Sequence, residues 1–102
     1  MKVNMHVREG RAFIQPQGRF DYHLHRDFRA ACDEAIAVPD VREIVVDLGA
    51  VEYMDSSALG MMLVLKDQAQ AHHRPVALAS PRGAVKQVLE IACFGKMFRI
   101  DT

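Results

Sequence analysis

Residues 44–66 read IVVDLGAVEYMDSSALGMMLVLK, and the parsing of this stretch decides the fold. Ile44 to Leu48 is a β-branched, aliphatic run interrupted only by Asp47. Such continuity marks a strand covered on both faces or nearly so, and therefore one near the middle of a sheet. Its single acid is expected to reach a sheet edge or a hydrogen-bonding partner, because burying a bare carboxylate is strongly unfavourable. A tight turn bearing acids and hydroxyls comes next. Asp55, Ser56 and Ser57 then stand directly before a helical run, and side-chain oxygens of these types satisfy the orphan amides of a first helical turn. The helix is expected from about Ser57 to Ala71.

That helix is apolar on nearly every side from Ala58 to Leu65, with only Gly60 interrupting, whereas a helix lying on a sheet needs one apolar stripe. At least one of Met61, Met62, Val64 and Leu65 is therefore expected on the surface, where it would supply a docking face. The Asp55-Ser56-Ser57 cluster has two readings at this point. It can be a helix cap and nothing more, or it can carry a reversible phosphate, which helix amides accommodate while the adjoining surface changes by about −1.5 to −2 charges.

Working outward, Val3 to Val7 and Ala12 to Ile14 read as a β-hairpin turning at Glu9, Gly10 and Arg11, with Pro16 ending the second strand or marking a free edge. Gly18 breaks the chain before an amphipathic helix over Tyr22 to Val38, for which Asp21 is the expected cap and Pro39 the stop. Beyond the central helix, Pro75 to Ala79 reads as a short buried strand. Ser80 and Pro81 read as a helix start, Gly95 as that helix's end, and Met97 to Ile100 as a last strand. The order β-β-α-β-α-β-α-β implies an α/β fold with a mixed, mostly parallel sheet of about five strands and helices packed against it, in one domain over residues 1–102.

Thirteen basic and thirteen acidic residues cancel, which argues against a nucleic-acid or membrane-surface binder. No apolar run reaches the ~20 residues of a membrane span, and MKVNMHVREG has no signal-peptide core, so a cytoplasmic protein is expected. Cys32 and Cys93 read as reduced, partly buried packing residues. The pairs His23/His25 and His72/His73 lack metal-ligand spacing, so no metal is expected. A Ser-His-Asp hydrolase built on Ser56 with Asp47 or Asp55 lacks the flanking glycines of a nucleophile elbow, since Met54 and Ala58 hold those positions. No phosphate-binding glycine motif is present, so no nucleotide or other cofactor is expected.

The segment VVDLGAVEYMDSSALGMMLVLKDQA resembles the signature of the STAS domain, the fold of bacterial anti-sigma factor antagonists. Gly18 and Asp21 in PQGRFDYHLHRDF match that family's glycine and aspartate ahead of the first helix, and AVKQVLEIACFGKMFRI resembles its last helix and strand. The similarity runs from about Val3 to Ile100. It implies a non-enzymatic switch. The partner, an anti-sigma factor and serine kinase, would bind the chain while Ser56 is unmodified and would phosphorylate it there; a protein phosphatase would reverse the modification. The expected partner surface comprises Asp21, Asp55, Ser57, Ala58, Met61 and Met62, and the expected state is a monomer or weak dimer. One departure is Ala58, which stands where the family usually has glycine and should stiffen the first helical turn. The alternative is a STAS-type scaffold or subunit of a sensory or lipid-transport complex without sigma control.

Overall fold

Glu9 and Gly10 both adopt positive φ, 52° and 80°, the geometry of a two-residue hairpin turn whose twist suits the strands it joins. In the computed structural model, which describes residues 2–102, they connect β1 (Val3–Arg8) to β2 (Arg11–Pro16). There follow β3 (Gly18–Phe20), α1 (His25–Ala37) after a short 3₁₀ turn, β4 (Glu43–Asp47), β5 (Val51–Met54) and α2 (Ser56–Ala71). The chain closes with β6 (Val76–Ala79), α3 (Gly83–Ile91), a second 3₁₀ turn and β7 (Arg99–Asp101).

The main sheet has five strands in the order β1-β2-β4-β6-β7, antiparallel at β1 and parallel elsewhere. The expected α/β domain and the central position of the Ile44 strand are both present. Two strands were not expected. β3 and β5 pair in parallel as a separate small sheet, in segments that read as a chain break and a turn. Each is only three or four residues long, too short for an alternating pattern to declare itself.

β4 is covered on both faces, as its aliphatic run implied, but by different means: the buried side chains of all three helices join one cluster with Ile44 and Val46, from which Val45 and Ala77 are absent. Ala12, Ile14, Ile44, Val46 and Leu78 are fully buried in the core beneath the helices. The opposite face carries the cross-strand row His6, Phe13, Val45, Ala77 and Arg99. Val45 and Ala77 are nonetheless buried. Long side chains cover them: Arg99 reaches Glu43 at 2.9 Å across the intervening β6, whose residue in that row is the small Ala77, and Arg11 approaches the same carboxylate at 3.7 Å. Phe13 stacks on His6 at 5.1 Å, with Arg8 and Arg11 over its ring. This face is therefore sealed by stems and ion pairs where the other is sealed by helices.

Two boundaries on α3 differ from expectation. Ser80 donates its amide to the Asp101 carbonyl at 2.8 Å and takes a positive φ of 57°, so it ends β6 and the helix begins only at Gly83. At the other end the left-handed residue is Cys93, and Gly95 lies inside the following 3₁₀ turn. The buried pair Phe94 and Phe98, stacked at 5.3 Å, anchors that turn and sets where the helix must stop. Cys93 is left exposed, contrary to its expected packing role, whereas Cys32 is buried.

Asp47 finds the partner its position demanded: Gln15 Nε2 and the Gly49 amide each donate to it at 3.0 Å. Asp47→Ala should lower stability by about 1–2 kcal/mol in urea unfolding, since both donors lose their acceptor in a half-buried site. Full retention of stability would mean the two bonds contribute nothing. The thiols give a second check. Burial pushes the Cys32 thiol from an ordinary 9.0 up to about 12, so the folded chain keeps it protonated where the unfolded chain ionises. Its contribution to stability is complete below about pH 9 and is lost as the pH rises toward about 12. At pH 8 a disulfide reagent should label Cys93 rapidly and Cys32 only on unfolding.

Candidate functional site

The small sheet builds the site. Its register pairs Phe20 with Met54, so the next residue in each strand, Asp21 and Asp55, leaves the ladder side by side at the same edge. Both are extended and nearly superposable in backbone, φ −131° and ψ −166° for Asp21 against φ −128° and ψ −172° for Asp55. Each then caps the segment that follows. Asp21 Oδ1 accepts the His23 amide at 3.0 Å; Asp55 Oδ1 accepts the Ser57 amide at 3.0 Å and, more weakly, the Ala58 amide at 3.4 Å. Gly18 makes this pairing possible. It sits at φ 75°, beside the bulge that shifts the ladder, and donates its amide to the Ala50 carbonyl at 2.9 Å.

The cap of α2 is thus the carboxylate of Asp55 rather than a serine hydroxyl. Ser56 is the first helical residue, exposed, and its hydroxyl has no hydrogen-bond partner among the described residues. Among the described residues no hydrogen bond joins a histidine ring to Ser56, His23 being bonded to Asp21, and there is no cluster of three or more metal-ligating side chains.

The rim of the site includes residues that the sequence did not single out. Arg19 lies 4.0 Å from the ring centroid of Tyr53, its ladder partner, and 3.5 Å from the Asp21 carboxylate. The His23 amide bonded to Asp21 holds that carboxyl below its ordinary range; the His23 ring at 3.2 Å and the Arg19 charge act in the same direction. Arg19 and Tyr53 were missed because only the parallel register of β3 with β5 brings them together. Glu52 is exposed on the same short strand.

The expected partner surface separates into two groups. Ala58 and Met62 are 0% exposed and belong to the core stripe that continues through Leu65 and Ala69, so they are corrected to packing residues with no side-chain surface to offer. Ala58 points inward because it lies one helical turn before Met62 on the same face. Asp21, Asp55, Ser57 and Met61 remain partly accessible. Val64, 53% exposed, is the apolar residue that the helix presents outward, and Tyr22, 70% exposed, projects from the start of the α1 segment. Val64 was legible from the helix being apolar all round; Tyr22 gave no such signal.

The model of the STAS domain family matches residues 2–102. A STAS-domain containing protein of Pseudomonas aeruginosa is 44% identical over 88 residues, covering 86% of this chain and 85% of that protein. An anti-sigma F factor antagonist of Paenibacillus polymyxa is 32% identical over 63 residues, covering 62% of this chain and 54% of its own length. Among solved structures, a proposed anti-sigma factor antagonist of Thermotoga maritima superposes with a TM-score of 0.85 at 20% identity, covering 98% of this chain and 86% of that one. The Bacillus cell-fate determinant SpoIIAA in its phosphorylated form gives 0.71 at 24% identity, over 98% of this chain and 91% of that one. A sulfate transporter family protein of Wolinella succinogenes gives 0.77 at 11% identity, over 94% and 80%. The structural likenesses establish the fold, and with the match across residues 2–102 and the close relative of similar length, the chain belongs to the STAS domain family.

Proposed function

We propose that the chain is an anti-sigma factor antagonist working as a phosphorylation-controlled interaction switch, with Ser56 as the acceptor. The observation that carries this reading is the placement of Ser56 as an exposed first helical residue with an unengaged hydroxyl. Its Oγ would attack the γ-phosphorus of ATP held by the partner kinase, releasing ADP and the hydroxyl proton and leaving a phosphoserine. This chain contributes no catalytic group to that step; it presents the hydroxyl. A phosphatase would restore the serine by hydrolysis.

The switch follows from where charge is added. The helix amides and dipole stabilise an anion at this end by ~0.3–2 kcal/mol, roughly offsetting repulsion from Asp55. The fold therefore tolerates the phosphate. A partner packed on the same turn must desolvate the new charge or meet it with its own acids, and a loss of ~3 kcal/mol is a hundredfold in affinity. The sulfate transporter likeness keeps a second reading in view, in which the domain serves as a subunit without phosphorylation at Ser56.

Three variants separate these readings when titrated against the purified anti-sigma kinase. Ser56→Asp should fold normally and bind at least about a hundredfold more weakly, whereas Ser56→Ala should bind constitutively and accept no phosphate. Ser57→Ala should still gain one phosphate by intact mass. Wild-type affinity in Ser56→Asp, or phosphate mapped to Ser57 alone, would overturn the assignment. Asp55→Ala should cost about 1 kcal/mol of unfolding free energy through loss of the cap, read by urea denaturation.

A further inference from the structure

The two long helices start at the same sheet edge and run side by side. Tyr22 and His25 face Ser57 and Met61 at one end, and Ile36 and Ala37 face Gln68 and Ala71 at the other. Between them lies an open groove, with a cavity of about 350 Å³ at the Ser57 end and a second of about 410 Å³ at the Ala71 end; Gln68 lines both. Along α2 the groove wall is Ser57, Met61, Val64, Gln68 and Ala71, a helical stripe about 21 Å long at 1.5 Å per residue. Its floor at the Ser57 end is apolar, formed by Phe28, Cys32 and Leu65. Gly60 widens it: a Cβ placed there would meet nothing within 4 Å.

The charges along this groove are ordered. His25 and Arg29 line the Ser57 end and take part in no salt bridge among the described residues, and no acid lines that cavity. Asp33 lines the Ala71 end together with His72, so with both imidazoles uncharged the formal charges are Arg29 at one end and Asp33 at the other. The negative ends of the two parallel helix dipoles add to the anionic end, whereas at the Ser57 end Asp55 already holds the first amides of α2 and Arg29 supplies the cationic charge. An occupant must therefore be apolar along one face for about four turns, negative at the Ser57 end and positive at the other. A third helix laid antiparallel to α1 and α2 has that polarity from its backbone alone.

We propose that this groove receives an amphipathic helix of a protein partner, antiparallel to α2, with apolar anchors at helical spacing and acidic residues in its last turn facing His25 and Arg29. The inference rests on the reading of the chain as an interaction module. It does not depend on Ser56 being phosphorylated, and the two can fail separately.

The probe is a synthetic 16-residue amphipathic peptide (about four turns) with leucines along one face, two glutamates in the last turn and a lysine in the first. Controls exchange the two charge types or scramble the leucines. Titrated into isotope-labelled protein, the acidic-tailed peptide should shift amides of α1 and α2 and leave those of β1 and β7 unmoved. It should bind at least about fivefold more tightly than its charge-exchanged isomer, and Arg29→Glu should invert that order. Gly60→Leu, which fills the groove at an open helical position, should weaken binding at least about tenfold while the melting temperature is kept. Gly60→Ala checks that helix propensity alone leaves binding intact. Shifts centred elsewhere, no saturation by any peptide at millimolar concentration, or an order unchanged by Arg29→Glu would overturn the proposal. So would decanoate shifting the same amides where the peptides do not, which would assign the groove to a small amphiphile. Phosphorylation of Ser56, read separately by intact mass, reports on the switch and not on the groove.

Discussion

A parallel ladder only three residues deep holds the surface around Ser56 together. The pairing of Gly18, Arg19 and Phe20 with Val51, Tyr53 and Met54 fixes where two segments leave the sheet. Because the strands are parallel and end in step, the aspartates that follow occupy equivalent positions and cap their helical segments with the same backbone geometry. Phe20, Val51 and Met54 anchor the ladder in the core. The exposed members, Arg19 and Tyr53, stack on each other outside it. In β5 burial falls on the two end residues, Val51 and Met54, and presentation on Glu52 and Tyr53 between them, because the bulge interrupts strict alternation.

Most of the main sheet was legible because its signals were strong: the Ile44 to Leu48 run, the alternation in β1 and β2, and the three-and-four spacing of α1. The small sheet was not, since its strands are short and its only punctuation, Gly18, reads equally well as a break or a bulge. The end of α3 misled for a related reason. Gly95 is the residue type expected after a helix, but the burial of Phe94 and Phe98 moved the left-handed position to Cys93. Tertiary packing overrode local preference there. In the candidate site, the capping positions of Asp21 and Asp55 were legible from residue type and from their place directly before the helical runs. Ala58 and Met62 were assigned to the surface because an all-apolar helix does not announce which of its faces is the core.

The two faces of the sheet solve the same burial problem differently. Helices cover one with aliphatic and aromatic side chains. On the other, Arg11 and Arg99 bridge to Glu43 from β2 and β7 above Val45 and Ala77, and Asp101 holds Arg99 from within its own strand. Exposed pairs of this kind add little stability individually, and salt screens them. Their stems nonetheless keep a sheet face with an exposed edge from presenting bare apolar surface.

The placement of Ser56 on the first turn of a helix has a consequence for any enzyme that modifies it. Many modifying enzymes grip an extended peptide, whose backbone amides are free to pair with the enzyme's own strand. Here the Ser57 and Ala58 amides are already bound to Asp55, and Ala58 is locked into the core one residue after Ser57. The segment cannot be drawn out without unravelling the start of α2. An enzyme acting at Ser56 must therefore recognise a folded surface, and a loose peptide copy of residues 52–60 would lack the shape that identifies the substrate.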